Sequence, residues 1–307
     1  MEWNPALKAG KELQMKGSNQ NLRSMFESLE RRQMLSATPA GVVTYDTWQD
    51  DGGNISLYVN GDSAANNIGV TANFVANGTF DEWGRALGSA NVTISTGKKL
   101  SKSFSNISNI QIYGGDGADK ITLSGKMSEG QVWVWLGGGD GADTITIKNF
   151  DGGVGASGGR GADTIDASAA FSKKGALIGG NSHRSLNGDE GDDLLIGSSS
   201  SDSLSGGDGN DTLRGNAGDD YLYGGTGTNR LYGGDGNDSF QVMSKNGLWP
   251  GDIWNVGGDD VIDGGAGTDS IQRIFNSELG TPTFGDSSIN VEQSYTYDYA
   301  GFGGGEG

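Results

Sequence analysis

Cysteine is absent from the 307-residue sequence, and histidine occurs once, as His183. No disulfide can hold such a fold, and no thiolate can serve as nucleophile or metal ligand. A single imidazole excludes most Ser–His and Cys–His mechanisms, and one loop histidine cannot build a transition-metal site by itself. Basic residues are also few, 21 Lys and Arg against 39 Asp and Glu, for a net charge of −18. That balance argues against nucleic acid or an anionic membrane as a partner and toward cations. No run of 18 apolar residues exists, so the sequence holds no membrane-spanning helix. Hydrophobic residues make up 34% of the chain, low for a globular core but enough for a narrow one filled by one residue per repeat. No HExxH, G-x-S-x-G or P-loop appears. The expectation is therefore a protein without catalytic activity.

Glycine is plentiful, at 57 residues, and it falls in a pattern. From Gly188 to Gln241 six nonapeptides follow end to end: GDEGDDLLI, GSSSSDSLS, GGDGNDTLR, GNAGDDYLY, GGTGTNRLY and GGDGNDSFQ. Gly opens each unit, the sixth position is Asp in five of the six, and the eighth is Leu or Phe throughout. Glycines at positions one, two and four permit left-handed turns and close approach of neighbouring coils. Positions seven to nine form a short strand whose middle residue points inward. Leu195, Leu204, Leu213, Leu222, Leu231 and Phe240 would thus stack as an apolar ladder. Two units make one turn of a flattened solenoid, with same-side units about 4.8 Å apart. Asp193 then lies beside Asp211, Asp202 beside Asp220, and Asp220 beside Asp238. Carboxylates at that separation repel unless a cation lies between them. Calcium suits the position, because it takes six to eight oxygens at about 2.3–2.6 Å from carboxylates and backbone carbonyls alike.

The pattern G-G-x-G-x-D-x-U-x resembles the repeats-in-toxin (RTX), haemolysin-type calcium-binding repeat family. The resemblance implies an all-β fold, a calcium-binding parallel β-roll or β-solenoid built of nonapeptide repeats, with several Ca2+ ions held by position-six aspartates and turn carbonyls. Carried onto this sequence, the metal residues are Asp193, Asp202, Asp211, Asp220 and Asp238, with the turn glycines Gly206, Gly207, Gly209, Gly233, Gly234 and Gly236. Asn229 offers only a neutral oxygen, so its sites should be weaker.

Residues 1–40 read as a leader, either a short helix or disordered. Up to residue 37 they hold six Lys/Arg against four Asp/Glu, the reverse of the remainder. The string from Phe26 to Ala37 resembles the LEPR-XLL motif near the N-terminus of large planctomycete surface and secreted proteins, with Arg31 where that motif has proline. Residues 41–113 are rich in short β-branched segments. Gly61–Gly69 fits the nonapeptide frame with Asn66 at the metal position and Ile68 inside, which suggests a degenerate start of the solenoid with a hairpin-like insertion around 70–110. The β-roll proper is expected over 114–272. Its outlying repeats GGDGADKIT, GGDGADTIT and GGRGADTID place Asp119, Asp143 and Asp163 in one row, while GGAGTDSIQ and the unit before it add Asp269 and Asp260. Between the two sets Arg184 takes the carboxylate position, where a guanidinium can replace the ion. Residues 273–307 are expected to be a cap, using Ile274, Phe275, Phe284, Ile289 and Val291, followed by a disordered tail.

These features predict an extracellular or cell-surface protein of structural or adhesive role that folds on meeting calcium. Its partners would be calcium and cell-surface polysaccharide or surface proteins. Two further readings stay open: a polysaccharide-binding module using Trp133 and Trp135, and a solenoid polysaccharide lyase or epimerase with a cryptic acidic site.

Overall fold

The computed structural model describes residues 42–80, 86–96, 100–126, 132–150, 152–170, 184–243, 260–275 and 287–298. The chain divides into two units, Met1–Val42 and Val43–Gly307. All of the first unit but Val42, and with it the expected leader, lies outside the described residues. So do His183, Leu177, the loop around Pro250 and the C-terminal tail. The second unit is all-β, with 21 strands and no helix among the described residues.

An antiparallel pair leads in, β1 (Thr44–Gln49) and β2 (Ile55–Asn60). An antiparallel meander follows: β3 (Asn67–Phe80), β4 (Ala86–Thr96) and β5 (Leu100–Asp116). From there the chain coils through β6 (Lys120–Lys126), β7 (Trp133–Asp140), β8 (Thr144–Lys148), β9 (Val154–Arg160), β10 (Thr164–Ala169) and β11 (Arg184–Glu190). It continues through β12 (Leu194–Ile196), β13 (Asp202–Asp208), β14 (Thr212–Ala217), β15 (Tyr221–Gly225), β16 (Arg230–Asp235) and β17 (Ser239–Met243). The last strands are β18 (Val261–Ala266), β19 (Ser270–Phe275), β20 (Ser287–Ile289) and β21 (Gln293–Asp298). Even-numbered strands from β6 to β20 pair in parallel with the next even strand, and odd-numbered strands from β5 to β21 do the same. The even row is headed by β3 and the odd row by β2. Each coil contributes one strand to each row, which is the parallel β-roll.

The core lies between the rows. In the even row Ile68, Ile121, Ile145, Ile165, Leu195, Leu213, Leu231 and Ile262 stand in register, all fully buried. The odd row matches them with Val59, Ile112, Leu136, Ala156, Leu186, Leu204, Leu222, Phe240 and Ile271. Strand residues alternate in direction, so one apolar side chain per strand suffices, each contributing about 1.5–3 kcal/mol on burial.

The rungs begin before residue 114. Asn67–Asn73 of β3 pairs with β6, so Gly61–Asn66 forms the first turn, and the meander around β4 projects from the coil. Nor do the rungs stop at residue 272. β20 and β21 add a further coil, in which Ser288 and Ser294 continue the two ladders. Of the residues expected to make a separate cap, Ile289 is exposed, while Ile274 and Val291 are half-buried. The Phe275 side chain and Phe284 lie outside the described residues. At Ser288 and Ser294 serine takes the place of the apolar ladder residues.

Candidate metal centre

Six-residue turns connect the rows along two edges, and their spelling follows from how closely they stack. At Gly207 φ is +112° and at Gly209 it is +140°, backbone regions that L side chains rarely adopt. A Cβ at Gly207 would strike the Asp189 carbonyl of the preceding turn, and one at Gly209 the Gly191 carbonyl. Gly234 and Gly236 repeat this on the opposite edge. Gly206 and Gly233 open their turns for a different reason. A Cβ on Gly206 would collide with both Asp211 Oδ2 and the Gly224 carbonyl of the next turn, and one on Gly233 with Asp238 Oδ2 and the Gly264 carbonyl.

Along the first edge the position-six residues form one column: Asn66, Asp119, Asp143, Asp163, Asp193, Asp211, Asn229 and Asp260. The backbone N–H of each donates to the side-chain oxygen of the next. The distances are 2.7 Å from Asp119 to Asp143, 2.7 Å from Asp143 to Asp163 and 2.7 Å from Asp163 to Asp193. They are 2.9 Å from Asp193 to Asp211, 2.9 Å from Asp211 to Asn229 and 2.8 Å from Asn229 to Asp260. Sequence separations between neighbours range from 18 to 31 along this stretch, yet the column is unbroken. Insertions are absorbed elsewhere in each coil. Along the second edge Asp202, Asp220, Asp238 and Asp269 are joined in the same way, at 2.7, 2.8 and 2.7 Å. The Asp269 N–H then donates to Glu292 Oε2 at 2.7 Å. Glu292 was missed in the sequence because VEQSYTY lacks the glycine frame. Arg184 precedes Asp202 in register on this edge, though its side chain lies outside the described residues.

Each carboxylate that follows another position-six residue in its column thus has one oxygen committed to a neighbouring coil. The other oxygen, Oδ2 of Asp119, Asp143, Asp163, Asp193, Asp211, Asp220, Asp238 and Asp269, is buried without a hydrogen-bond partner. These residues are at most 3% exposed, and a buried unpaired carboxylate oxygen is costly. Burial pushes Asp143, Asp163, Asp193 and Asp238 up to about 6, and Asp211 and Asp220 up to about 7. Asp119 and Asp269 are raised by the same cause. The backbone N–H on Oδ1 opposes the rise, while neighbouring carboxylates add to it. No three His, Cys, Asp or Glu side chains converge as a metal cluster among the described residues. An ion here would take most of its ligands from turn carbonyls, a mixture that hard, oxygen-binding calcium accepts and softer metals do not. The donor set fits calcium.

Three turns differ. Asn229 donates from Nδ2 to the Thr226 carbonyl at 3.3 Å. Asn66 donates from Nδ2 to the Ala64 carbonyl and, at 3.4 Å, to the Gly114 carbonyl. Asp202 Oδ2 accepts from both the Ser198 N–H at 2.5 Å and the Ser198 hydroxyl at 2.8 Å.

On the outer face of the odd row, Trp133 is 42% exposed and Trp135 is half-buried. Val132, Val134 and Leu136 point into the core. Trp135 covers Gly155, whose Cβ would meet the indole ring. Asn109 and Gln111 of the adjoining strand stand in register with Trp133 and Trp135.

No curated protein matches the chain as a relative. Residues 111–125, 179–213, 187–222, 205–240 and 257–272 match the family model of the RTX calcium-binding nonapeptide repeat. These segments hold Asp119, Asp193, Asp202, Asp211, Asp220, Asp238, Asp260 and Asp269 of the two edges, while Asp143 and Asp163 lie outside them. With glycine turns, buried aspartate columns and a parallel coil all in place, the chain carries RTX calcium-binding nonapeptide repeats.

Proposed function

We propose that the chain is a non-enzymatic, extracellular scaffold whose coil forms when calcium binds, with a structural or adhesive role at the cell surface. One observation carries this reading: in two columns of buried carboxylates, the Oδ2 atoms of Asp119, Asp143, Asp163, Asp193, Asp211, Asp220, Asp238 and Asp269 meet no hydrogen-bond donor. Asp119, Asp143, Asp163, Asp193, Asp211, Asp220, Asp238 and Asp269 would hold the ions together with carbonyls of their own and adjoining turns. Bound calcium supplies the positive charge and the oxygen coordination that these acceptors lack. Asp260 extends the first column and would contribute likewise. Binding to the folded coil alone stabilises it by mass action, about 2.7 kcal/mol per site at a hundredfold excess over Kd. Many weak sites therefore sum to a switch between a calcium-poor interior and a calcium-rich exterior. Calorimetric titration with calcium, paired with circular dichroism in calcium and in EDTA, tests the reading. Saturable uptake with a gain of β signal is expected, and a chain equally folded in EDTA sinks it.

A second reading concerns the partner. The exposed Trp133 ring, with Asn109 beside it in register and Gln111 beside Trp135, presents the apolar-plus-amide chemistry that sugar rings bind. Loss of glycan-array binding in Trp133→Ala would support it, and no binding by the wild type would end it.

A further inference from the structure

We propose that three turns carry their own substitute for the ion, the Asn229 amide, the Asn66 amide and Ser198 on Asp202, so that calcium is confined to the other turns of the two columns. The inference rests on the calcium reading above. Asn229 and the aspartates place their side chains alike. Asn229 Oδ1 accepts the Asp211 N–H at 2.9 Å, as Asp211 Oδ1 accepts the Asp193 N–H. The remaining atom of each side chain faces the first glycine of its turn, Nδ2 against Gly224 and Oδ2 against Gly206. Because Oδ1 is fixed by the Asp211 amide, the atom facing Gly224 has to be the NH2 group. It donates to the Thr226 carbonyl, so an acceptor-rich turn gains a donor without any metal. Asn66 does the same toward Ala64 and Gly114, and its Oδ1 is left over because it heads the column, with no earlier position-six N–H to receive. At the head of the second column the substitution comes from the other side. Asp202 keeps its carboxylate, and Ser198, at a position that is glycine in three of the other units from 188 to 241, supplies two donors to Oδ2.

These positions are not scattered. Asn66 heads the metal column on the first edge, and Asp202 is the first carboxylate after Arg184 on the second, where the column turns from hydrocarbon to acid. Asn229 divides the first column, separating the run Asp119–Asp211 from Asp260. A neutral amide also ends the accumulation of charge along the buried column, since it donates where a carboxylate would need a cation. The column is thereby a run of calcium-dependent turns bounded by calcium-independent ones.

Two exchanges on the full chain test this, read by calcium stoichiometry in calorimetry and by melting temperature in EDTA. Asp211→Asn should bind less calcium than wild type yet melt higher in EDTA, because the new amide closes the turn. Asp211→Ala should bind less calcium and gain nothing in EDTA. Asn229→Asp should take up additional calcium and melt lower in EDTA. If Asp211→Asn and Asp211→Ala behave alike in EDTA, or a folded Asn229→Asp keeps the wild-type stoichiometry, the proposal is overturned. A wild-type chain that binds no calcium overturns the function reading instead, so the two failures are distinguishable.

Discussion

The two halves of the coil solve one packing problem in two ways. In the odd row a single column of positions runs from end to end of the molecule. In the first half it is aliphatic: Leu57, Ile110, Val134 and Val154, all fully buried. At Arg184 it changes, and Asp202, Asp220, Asp238 and Asp269 follow, ending in Glu292. From Leu57 onward the backbone pairing of this row is parallel and in register. A buried position can thus be filled by hydrocarbon, which water expels unaided, or by carboxylates, which need a cation. The first half has an acidic column on one edge only, and the second half has one on both.

This difference makes unequal calcium dependence the largest expected effect. In EDTA, amide hydrogen exchange should rise first over 184–275 while 44–170 keeps more protection. Uniform loss of protection along the coil would break the comparison. A pH effect follows next. A carboxyl raised in the native coil from 3.8 to about 6 or 7 holds its proton more tightly there than in the unfolded chain. Its contribution to metal-free stability is full below 3.8 and is lost as pH rises through about 7. In EDTA the β signal should therefore be strongest near pH 4 and fade toward neutrality, whereas calcium, which binds the ionised form, reverses the order. A metal-free chain that gains structure as pH rises contradicts the buried columns.

Core truncation sharpens the same contrast from its other side. Ile145→Ala and Leu213→Ala remove equivalent ladder residues from the two halves. With calcium saturating, each should cost about 2–5 kcal/mol in denaturant unfolding, since the ladders are alike. A much smaller cost at Leu213 would mean that calcium rather than the core carries the second half. The smallest effect is expected at Arg160, whose guanidinium meets Glu190 at 3.3 Å with both side chains mostly in solvent. Arg160→Ala should shift stability by no more than about 1 kcal/mol, again by denaturant unfolding, which tells this ion pair apart from the buried columns.

Local spelling and tertiary context divided the labour differently at each place. Gly207 and Gly209 were legible because a left-handed turn under a neighbouring carbonyl admits almost nothing else. Leu195 to Phe240 were legible because a two-residue alternation repeated every nine residues has one buried member. Glu292 and the closing serines Ser288 and Ser294 were not, since they occupy rungs whose sequence has left the glycine frame. The sequence by itself determined the repeating coil, its inward ladder and the acidic character of its turns, for these are properties of one unit and its nearest copy. Only the tertiary structure decided that Asn66, Asp119 and Asp260 share one column across insertions of unequal length, and that one column changes from hydrocarbon to acid at Arg184. It also decided which turns close on their own donors, as at Ser198. Those facts depend on which coils come to lie against each other, and hydrogen bonds between coils fix that regardless of how much chain intervenes.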